Sequence, residues 1–222
     1  MGSDKVGATV KPSKTTWVHS FKWKPAEFNT IDFLITTKKT ASGQEEVGNI
    51  FKDGTNVNSA TQLTQYKTLT LRVGFDERKH GYINPYQSLI DDELPKPEDE
   101  KYKPVRFYPT NPSDNDAGLC KVLLHDKDGK KLMMTEENEI IEDNMIVEFR
   151  YDLTKDKGWR WVPLRVRYDK TEDFRKTGNN FGNAYHVANS NWQSIHNPIT
   201  EEMITTGNNI GEELGDDDVY YN

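Results

Sequence analysis

The sequence predicts a mainly β protein, a small antiparallel barrel or sandwich that ends in a helical appendage. Three observations favour this class. Five or six segments alternate apolar and polar residues with the period of two that is typical of half-buried strands. Turn-like sequences with little helical pattern join these segments. Helical spacing of apolar residues follows the last of them.

The first two strands are predicted from alternation alone. Residues 28–37 place Ile31, Phe33 and Ile35 on one face of an extended chain. Residues 68–75 repeat the pattern, and their apolar face carries Leu69, Leu71, Val73 and Phe75. Polar residues and a glycine lie on the opposite face, so both strands are expected to turn one side toward the core.

The later strands are predicted from alternation together with turns. Residues 119–124 and 131–134 flank "HDKDG", whose Asp-Gly pair indicates a hairpin. Residues 145–151 alternate again, and residues 159–168 follow the turn-like "TKDKG". We predict one further strand from each of these segments.

Long connections and two helices complete the prediction. Residues of about 41–66 and 77–118 do not fit a compact barrel and are interpreted as insertions. Residues 183–196 place five apolar side chains at helical spacing: Ala184, Val187, Ala188, Trp192 and Ile195. Asn197-Pro198 is expected to open a second short helix that ends near Gly207.

Composition limits the classes of function. The chain has 222 residues, is 34% hydrophobic and contains no apolar run near the roughly 20 residues that cross a bilayer. Its N-terminus does not resemble a signal peptide, so an intracellular location without membrane is expected. A single cysteine, Cys120, excludes an internal disulfide and a cysteine-rich zinc site, and the five histidines show no ligand spacing. We therefore expect no dedicated metal site, and a metal ion would be of the magnesium type, carried with a phosphate substrate.

The net charge of −7 is concentrated at the C-terminal end. From Thr171 onward nine acidic residues face two basic ones, whereas the rest of the chain is balanced. The final "GEELGDDDVYYN" is typical of an acidic linker or tail. A balanced barrel can still bind phosphate through a local cluster of cations.

Two such clusters are visible. In "FKWKPAEFNTIDFL", Lys22 and Lys24 stand before the first strand, either as lysines that guard a strand edge or as a phosphate site. In "WRWVPLRVRYDKTEDF", an extended chain turns Arg165, Arg167 and Asp169 to one side. Guanidinium groups suit phosphate oxygens, although a surface ladder of ion pairs is an alternative. The predicted register buries the opposite face, which holds Leu164, Val166 and Tyr168.

The two clusters together resemble the fifth and sixth motifs of the covalent nucleotidyltransferases, and especially of the mRNA-capping guanylyltransferases of large DNA viruses. "FKWKPAEFNTIDF" is similar to the fifth motif, a Lys-x-Lys followed by a strand. Arg167, Asp169 and Lys170 are similar to the Arg-x-Asp-Lys of the sixth, with Arg165 in the preceding basic position. "NAYHVANSNWQSIHNPITEEMI" looks like the C-terminal helices of the family, and "TLRVGFDERKHGYINPYQSLIDD" and "RFYPTNPSDNDAGLC" look like its barrel insertions.

The resemblance implies an organisation and a role for each cluster. Residues 1–25 would end a nucleotidyltransferase domain, residues 26–172 would form an OB-fold-like barrel, residues 173–206 its helices, and residues 207–222 the tail. Lys22 and Lys24 would contact the α-phosphate of GTP. Arg167, Asp169 and Lys170 would approach the β- and γ-phosphates when the barrel closes, with a hinge just after Pro25, and Arg165 is also expected to bind the GTP phosphates.

The resemblance also implies partners. These are GTP with its Mg²⁺ or Mn²⁺, the 5′ end of an RNA, a domain or chain that supplies the nucleophilic lysine, and a cap methyltransferase domain. A viral protein of this kind would act in the host cytoplasm, at the viral factory, or in the virion.

The chain departs from the family because it lacks the Lys-x-Asp-Gly nucleophile motif. "FKDGT" and "DKDGK" lack the spacer residue and are interpreted as Asp-Gly turns. We therefore expect the C-terminal part of a guanylyltransferase, inactive alone. Two alternatives stay open: a barrel that binds nucleic acid or a partner without catalysis, and the corresponding domain of a polynucleotide ligase, since ligases share both motifs.

Overall fold

The computed structural model describes Pro25 and residues 28–51, 63–75 and 102–207. In this part of the chain nine strands form one antiparallel sheet, and three helices follow them. The strands are β1 (Thr30–Thr37), β2 (Val47–Phe51), β3 (Leu63–Phe75), β4 (Lys103–Arg106), β5 (Leu119–Lys127), β6 (Lys130–Met134), β7 (Ile140–Ile141), β8 (Met145–Tyr151) and β9 (Trp161–Val166). The helices are α1 (Tyr168–Thr177), α2 (Tyr185–His196) and α3 (Glu201–Thr206).

The strand order is β7-β6-β5-β3-β1-β8-β9, and β2 and β4 also pair with the long strand β3. The sheet curls until the beginning of β5 meets the beginning of β9. Lys121 donates its backbone N–H to the carbonyl of Gly158 at 2.8 Å, and the Trp161 indole donates to the carbonyl of Ala117 at 2.8 Å. The sheet is thus nearly closed, and the prediction of a mainly β antiparallel barrel with C-terminal helices is confirmed.

The apolar faces predicted from alternation fill the barrel. Ile31, Phe33 and Ile35 of β1 are fully buried, and the predicted face of β3 is buried as well. The Phe33 ring lies 5.0 Å from the ring of Trp161 and 5.8 Å from that of Phe149, so three strands meet at one aromatic cluster. Such ring pairs contribute about 0.5–1.5 kcal/mol each beyond their area.

The predicted β5–β6 hairpin is also confirmed. Asp128 and Gly129 both have positive φ, 54° and 74°, as the two central residues of a type I′ turn require. "DKDGK" is therefore a turn, and Lys127 beside it is exposed to solvent. The other Asp-Gly pair, Asp53-Gly54, lies outside the described residues.

The sheet extends into both segments that the sequence predicted as insertions. β2 pairs with residues 63–67 of β3, and β4 pairs with residues 72–75. Phe107, directly after β4, is fully buried in the core. These short strands lacked a clear alternation because β2 is largely exposed on both faces and β4 spans only four residues.

The two predicted helices exist as α2 and α3. Ala188, Trp192 and Ile195 of α2 are buried, but Val187, which the spacing assigned to the same face, is exposed. α3 begins after Thr200, whose hydroxyl accepts a hydrogen bond from the N–H of Met203, and ends at Gly207 as predicted. None of the helices in the described part of the chain is long and apolar enough to span a membrane.

Candidate functional site

Asp32 is the centre of a polar cluster on the outer surface of the barrel. It lies in β1 between Ile31 and Phe33, so its side chain points away from the core. Its side chain is nevertheless only 8% exposed. One oxygen, Oδ2, accepts hydrogen bonds from Nη1 of Arg167 at 2.6 Å and from Nζ of Lys170 at 2.7 Å. Two cations from the far end of the sequence thus converge on one oxygen atom.

The end of β9 places these two cations. The strand stops at Val166, and α1 begins at Tyr168, with Arg167 as the residue between them. Arg167 donates its backbone N–H to the carbonyl of Ile146, and its own carbonyl accepts from the N–H of Thr171. The first turn of α1 then brings Lys170 to the same side as Arg167, which explains why both reach Asp32.

The predicted extended strand through Tyr168 is therefore wrong. Tyr168 is 53% exposed, because it opens a helix instead of continuing the buried face. A β-bulge between β8 and β9 also shifts the register: Glu148 faces Arg165, whereas its neighbour Phe149 faces Pro163. Leu164 is the extra residue of the bulge and is only partly buried. Val166 is buried and Arg165 is exposed, as predicted.

Asp169 orients the guanidinium of Arg167 from the solvent side. Its carboxylate accepts from Nε at 3.2 Å and from Nη2 at 3.1 Å, a fork-to-fork arrangement. This contact lowers the pKa of Asp169 and raises the pKa of Arg167, so both groups stay charged near neutral pH. Asp169 is 68% exposed and Arg167 is 24% exposed. The carboxylate can therefore move aside at less cost than the guanidinium can.

Glu148 of β8 connects the fourth predicted residue, Arg165, to the cluster. It faces Asp32 of β1 on one side and Arg165 of β9 on the other. Its carboxylate accepts from Nε of Arg165 at 2.6 Å and from the hydroxyl of Thr30 at 2.6 Å. Burial raises the pKa of Glu148, but these hydrogen bonds and the nearby arginines lower it by more, so the net pKa lies below its usual range. Like charges directly opposite in a sheet repel each other, and here the cations offset that repulsion.

The cluster is close to neutral as a whole. Within the described residues, the carboxylates of Asp32, Glu148 and Asp169 balance the three cations that contact them, Arg165, Arg167 and Lys170. Ion pairs therefore connect the predicted cations, as the alternative of a surface ladder expects. The cluster differs from a surface ladder in one respect, since Asp32 is buried beneath its two partners.

A short segment after α1 fixes the backbone of Asp32. Asn183 accepts the Asp32 N–H through its side-chain oxygen at 2.7 Å and donates its own N–H to the Asp32 carbonyl at 2.8 Å. The Asn183 carbonyl in turn accepts from Gly74 of β3 at 3.0 Å. Residues 182–184 thus fill the gap between β1 and β3 next to the cluster. Gly182 has a φ of +82°, and a Cβ there would lie 2.4 Å from the Asp32 carbonyl oxygen.

The remaining predicted residues have other outcomes. Lys22 and Lys24 lie outside the described residues, although Pro25 is described and its carbonyl accepts from the N–H of Phe28 at 3.0 Å. Cys120 is buried and donates its thiol to the carbonyl of Trp161; burial raises its pKa, so it is a packing residue. In the described ranges no group of three or more His, Cys, Asp or Glu side chains could hold a metal ion.

Sequence reasoning identified Arg165, Arg167, Lys170 and the carboxylate of Asp169, but it missed the two acids on neighbouring strands, Asp32 and Glu148. The sequence patterns assign no role to Asp32, Glu148 or Thr30. Asp32 did carry a signal, since it is a lone carboxylate in a strand whose neighbours are apolar. Glu148 in "MIVEFRY" has the same property.

Comparison with known proteins finds one strong similarity. The chain is 33% identical over 189 residues to a probable mRNA-capping enzyme of Acanthamoeba polyphaga mimivirus. The match covers 84% of this chain but 13% of the capping enzyme, so the chain corresponds to a small part of that protein. No family model and no solved structure matches the chain. The predicted resemblance to the capping enzymes of large DNA viruses is confirmed.

Proposed function

Because the chain is related to part of a viral mRNA-capping enzyme, we propose that it is the C-terminal, OB-type part of an mRNA guanylyltransferase. In this proposal it supplies residues that contact GTP while GMP is transferred to the 5′-diphosphate end of an RNA. The coarser statement, a role connected with mRNA capping, follows from the similarity itself. The finer one rests on the cluster around Asp32.

The observation that carries the proposal is the convergence of Arg167 and Lys170 on a single anionic oxygen. A polyphosphate presents several anionic oxygens. Two cations that both contact one carboxylate oxygen are close enough together to contact the same phosphate group. An arginine has five N–H donors and a lysine three. Within the described part of the chain, Arg167 uses three in hydrogen bonds and Lys170 uses one. Both side chains therefore keep donors for phosphate oxygens without leaving Asp32.

The chemistry of guanylyl transfer suits this arrangement. Transfer of GMP to a lysine expels pyrophosphate, so cations are needed where charge develops on the α-phosphate and on the leaving group. Lys22 and Lys24 would serve the α-phosphate. Arg165, Arg167 and Lys170 would orient the β- and γ-phosphates, with Asp169 holding the Arg167 fork in its plane. Mg²⁺ or Mn²⁺ would arrive with GTP as part of the substrate.

Closure of the barrel over the nucleotide would bring the two sets of cations together. Lys22 and Lys24 precede β1, and Asp32 lies in β1, so a hinge just after Pro25 separates one set from the other along a short stretch of chain. Proline restricts φ at that point and defines where the chain can bend. After transfer, opening would withdraw Arg167 and Lys170 and admit the RNA end.

The test is guanylylation in a reconstituted enzyme. This chain would be combined with a nucleotidyltransferase chain that carries the Lys-x-Asp-Gly lysine, and protein-bound label from GTP would be measured with Mg²⁺ or Mn²⁺. Arg167→Ala and Lys170→Ala should each lower labelling, by about 100-fold for a donor that acts in the transition state. Lys176→Ala is the matched control, because Lys176 lies in the same helix and its ion pair in the described part of the chain is with exposed Glu172. Labelling that survives both changes would refute the proposed role.

Lys22 and Lys24 are tested in the same assay. If they contact the α-phosphate, replacing either with alanine should lower labelling well beyond any change in stability, which for a surface lysine is usually below about 0.5 kcal/mol. If labelling is unchanged when both lysines are replaced, they do not contact the α-phosphate, and the alternative that they guard a strand edge is favoured. Label from ATP instead of GTP would favour the ligase alternative.

A further inference from the structure

A second polar surface lies on the outside of β5 and shares no residue with the Asp32 cluster. It is a pocket of about 380 Å³ between β5, the turn that follows β6, and the loop before β9. The side chains that matter here are Lys121 and His125 of β5, Asn138 of the turn, and Lys155 and Trp159 of the loop. Pockets that hold a small ligand begin at about 300 Å³, so this one has room for a single base.

Alternation along β5 explains why these residues face outward. Val122 and Leu124 point into the core, so Lys121 and His125 must point to solvent. The hydrogen bond from Lys121 N–H to the Gly158 carbonyl holds the loop against the strand. Trp159, the next residue, is thereby fixed beside Lys121.

Two aromatic rings lie next to the Lys121 ammonium: Trp159, which lines the pocket, and Tyr66, which lies beside it. Nζ of Lys121 lies 5.2 Å from the ring centre of Tyr66 and 5.7 Å from that of Trp159, within the range of cation–π contact. The two rings meet edge to face at 5.2 Å. Tyr66 can occupy this place because it lies across Gly48, where a Cβ would be 2.2 Å from the ring. Cation and rings thus form one preorganised group.

The two lysines of this pocket, unlike the cations around Asp32, have no carboxylate partner in the described part of the chain. Within the described residues, neither Lys121 nor Lys155 has a carboxylate at ion-pair distance, and the indole N–H of Trp159 has no acceptor. Glu136, the acidic residue of the lining, contacts Arg150 at 3.4 Å. Two uncompensated ammonium groups beside a half-buried indole favour a ligand that is both anionic and planar.

We propose that this pocket binds a segment of single-stranded RNA. One base stacks on Trp159, Asn138 reaches its polar edge, and the flanking phosphates contact Lys121 and Lys155. Stacking on aromatic side chains beside a cationic track is the general mode by which proteins hold single strands without reading their sequence. Only the choice of RNA as the polynucleotide rests on the proposed function. The pocket would hold the RNA while its 5′ end is modified at the other site.

The test measures binding of a fluorescein-labelled 12-nucleotide RNA to the purified chain by anisotropy, without GTP or a catalytic partner. Trp159→Ala should weaken binding at least about 5-fold, since one stacked base contributes 1–3 kcal/mol. Trp159→Phe keeps an aromatic face and should retain most of the affinity. Lys121→Ala and Lys155→Ala should each reduce the slope of log affinity against log salt by about 0.7.

Lys176→Ala is again the control, and thermal unfolding checks that each variant is folded. Affinity and salt slope that stay unchanged in the Trp159, Lys121 and Lys155 variants would overturn the proposal. Equal binding of duplex RNA would overturn it too, because a paired base cannot enter the pocket. Displacement by free GMP at a concentration near that of the oligonucleotide would assign the pocket to a mononucleotide instead. None of these outcomes depends on guanylyl transfer, so failure here leaves the proposed function standing.

Discussion

Asp32 is a buried carboxylate that accepts hydrogen bonds from two cations, Arg167 and Lys170. Removing one partner of a buried charged group leaves the other charges poorly solvated. Asp32→Asn should therefore lower the free energy of unfolding by about 2 kcal/mol, since hydrogen bonds to charged groups contribute 1.5–3 kcal/mol each and the two cations can partly turn to water. Urea unfolding at neutral pH measures this.

Asp169→Asn is the matched control for Asp32→Asn, because it removes the same charge from the exposed end of the cluster. We expect it to change the free energy of unfolding by less than about 0.5 kcal/mol, as is usual for surface pairs. If the two variants were equally stable, Asp32 would not be the anchor of Arg167 and Lys170.

Glu148 makes the stability of the barrel depend on pH. Hydrogen bonds and nearby arginines hold its pKa below the usual range in the folded chain, although burial acts in the opposite direction. The unfolded chain, with an ordinary glutamate pKa of about 4.3, takes up the proton first as pH falls. The stabilisation is therefore full above about pH 4.3 and is lost as pH falls further through the folded-state pKa.

The corresponding prediction compares wild type with Glu148→Gln in urea unfolding between pH 7 and pH 2.5. The variant should be less stable at neutral pH by about 1 kcal/mol, and the gap should narrow in acid. A gap that is constant with pH would mean that the carboxylate charge of Glu148 contributes nothing.

At the level of elements, residues 182–184 act as a wedge between β1 and β3. Gly182→Ala should destabilise the fold by about 2 kcal/mol or more, for two reasons. Alanine is strained at the positive φ of this position, and its Cβ would lie 2.4 Å from the Asp32 carbonyl oxygen. Gly178→Ala is the matched control: Gly178 also has positive φ, 69°, but a Cβ there has no atom within 4 Å. Chemical denaturation measures the free energy of unfolding of both variants. Equal decreases would show that residues 182–184 can move enough to accommodate the added Cβ.

The same elements show how far the sequence could predict the structure. Period-two alternation predicts β1, β3 and β8 because their buried faces carry large apolar residues at every second position. It fails at the end of β9, since the bulge at Leu164 reverses the alternation and α1 is too polar to show a helical face. The motif identified Arg165, Arg167, Asp169 and Lys170, but only the curled sheet brings them to Asp32 and Glu148. Contacts between residues more than 100 positions apart leave no local pattern.

At the level of the whole molecule, the two polar surfaces differ in how their charges are balanced. Cations around Asp32 are already matched by carboxylates, so phosphate can only replace or share existing partners there. Lys121 and Lys155 of the β5 pocket have no carboxylate partner within the described residues, so no such partner would have to leave when an anion binds. This difference agrees with our two proposals, in which the Asp32 cluster contacts phosphates transiently as the enzyme closes and opens and the β5 pocket holds a strand.

We expect that the chain alone is not guanylylated and that guanylylation requires an added nucleotidyltransferase chain. Covalent transfer needs a lysine whose surroundings favour the neutral, nucleophilic form. The Lys-x-Asp-Gly motif does not occur in these 222 residues, and Lys127, which precedes an Asp-Gly pair, is exposed in the β5–β6 hairpin. Incubating the purified chain with labelled GTP and Mg²⁺ or Mn²⁺ should leave no acid-stable label on it. Adding a chain with the motif should restore label in a manner that depends on Arg167 and Lys170. Covalent guanylate on the isolated chain would contradict this, and the labelled lysine would identify the nucleophile.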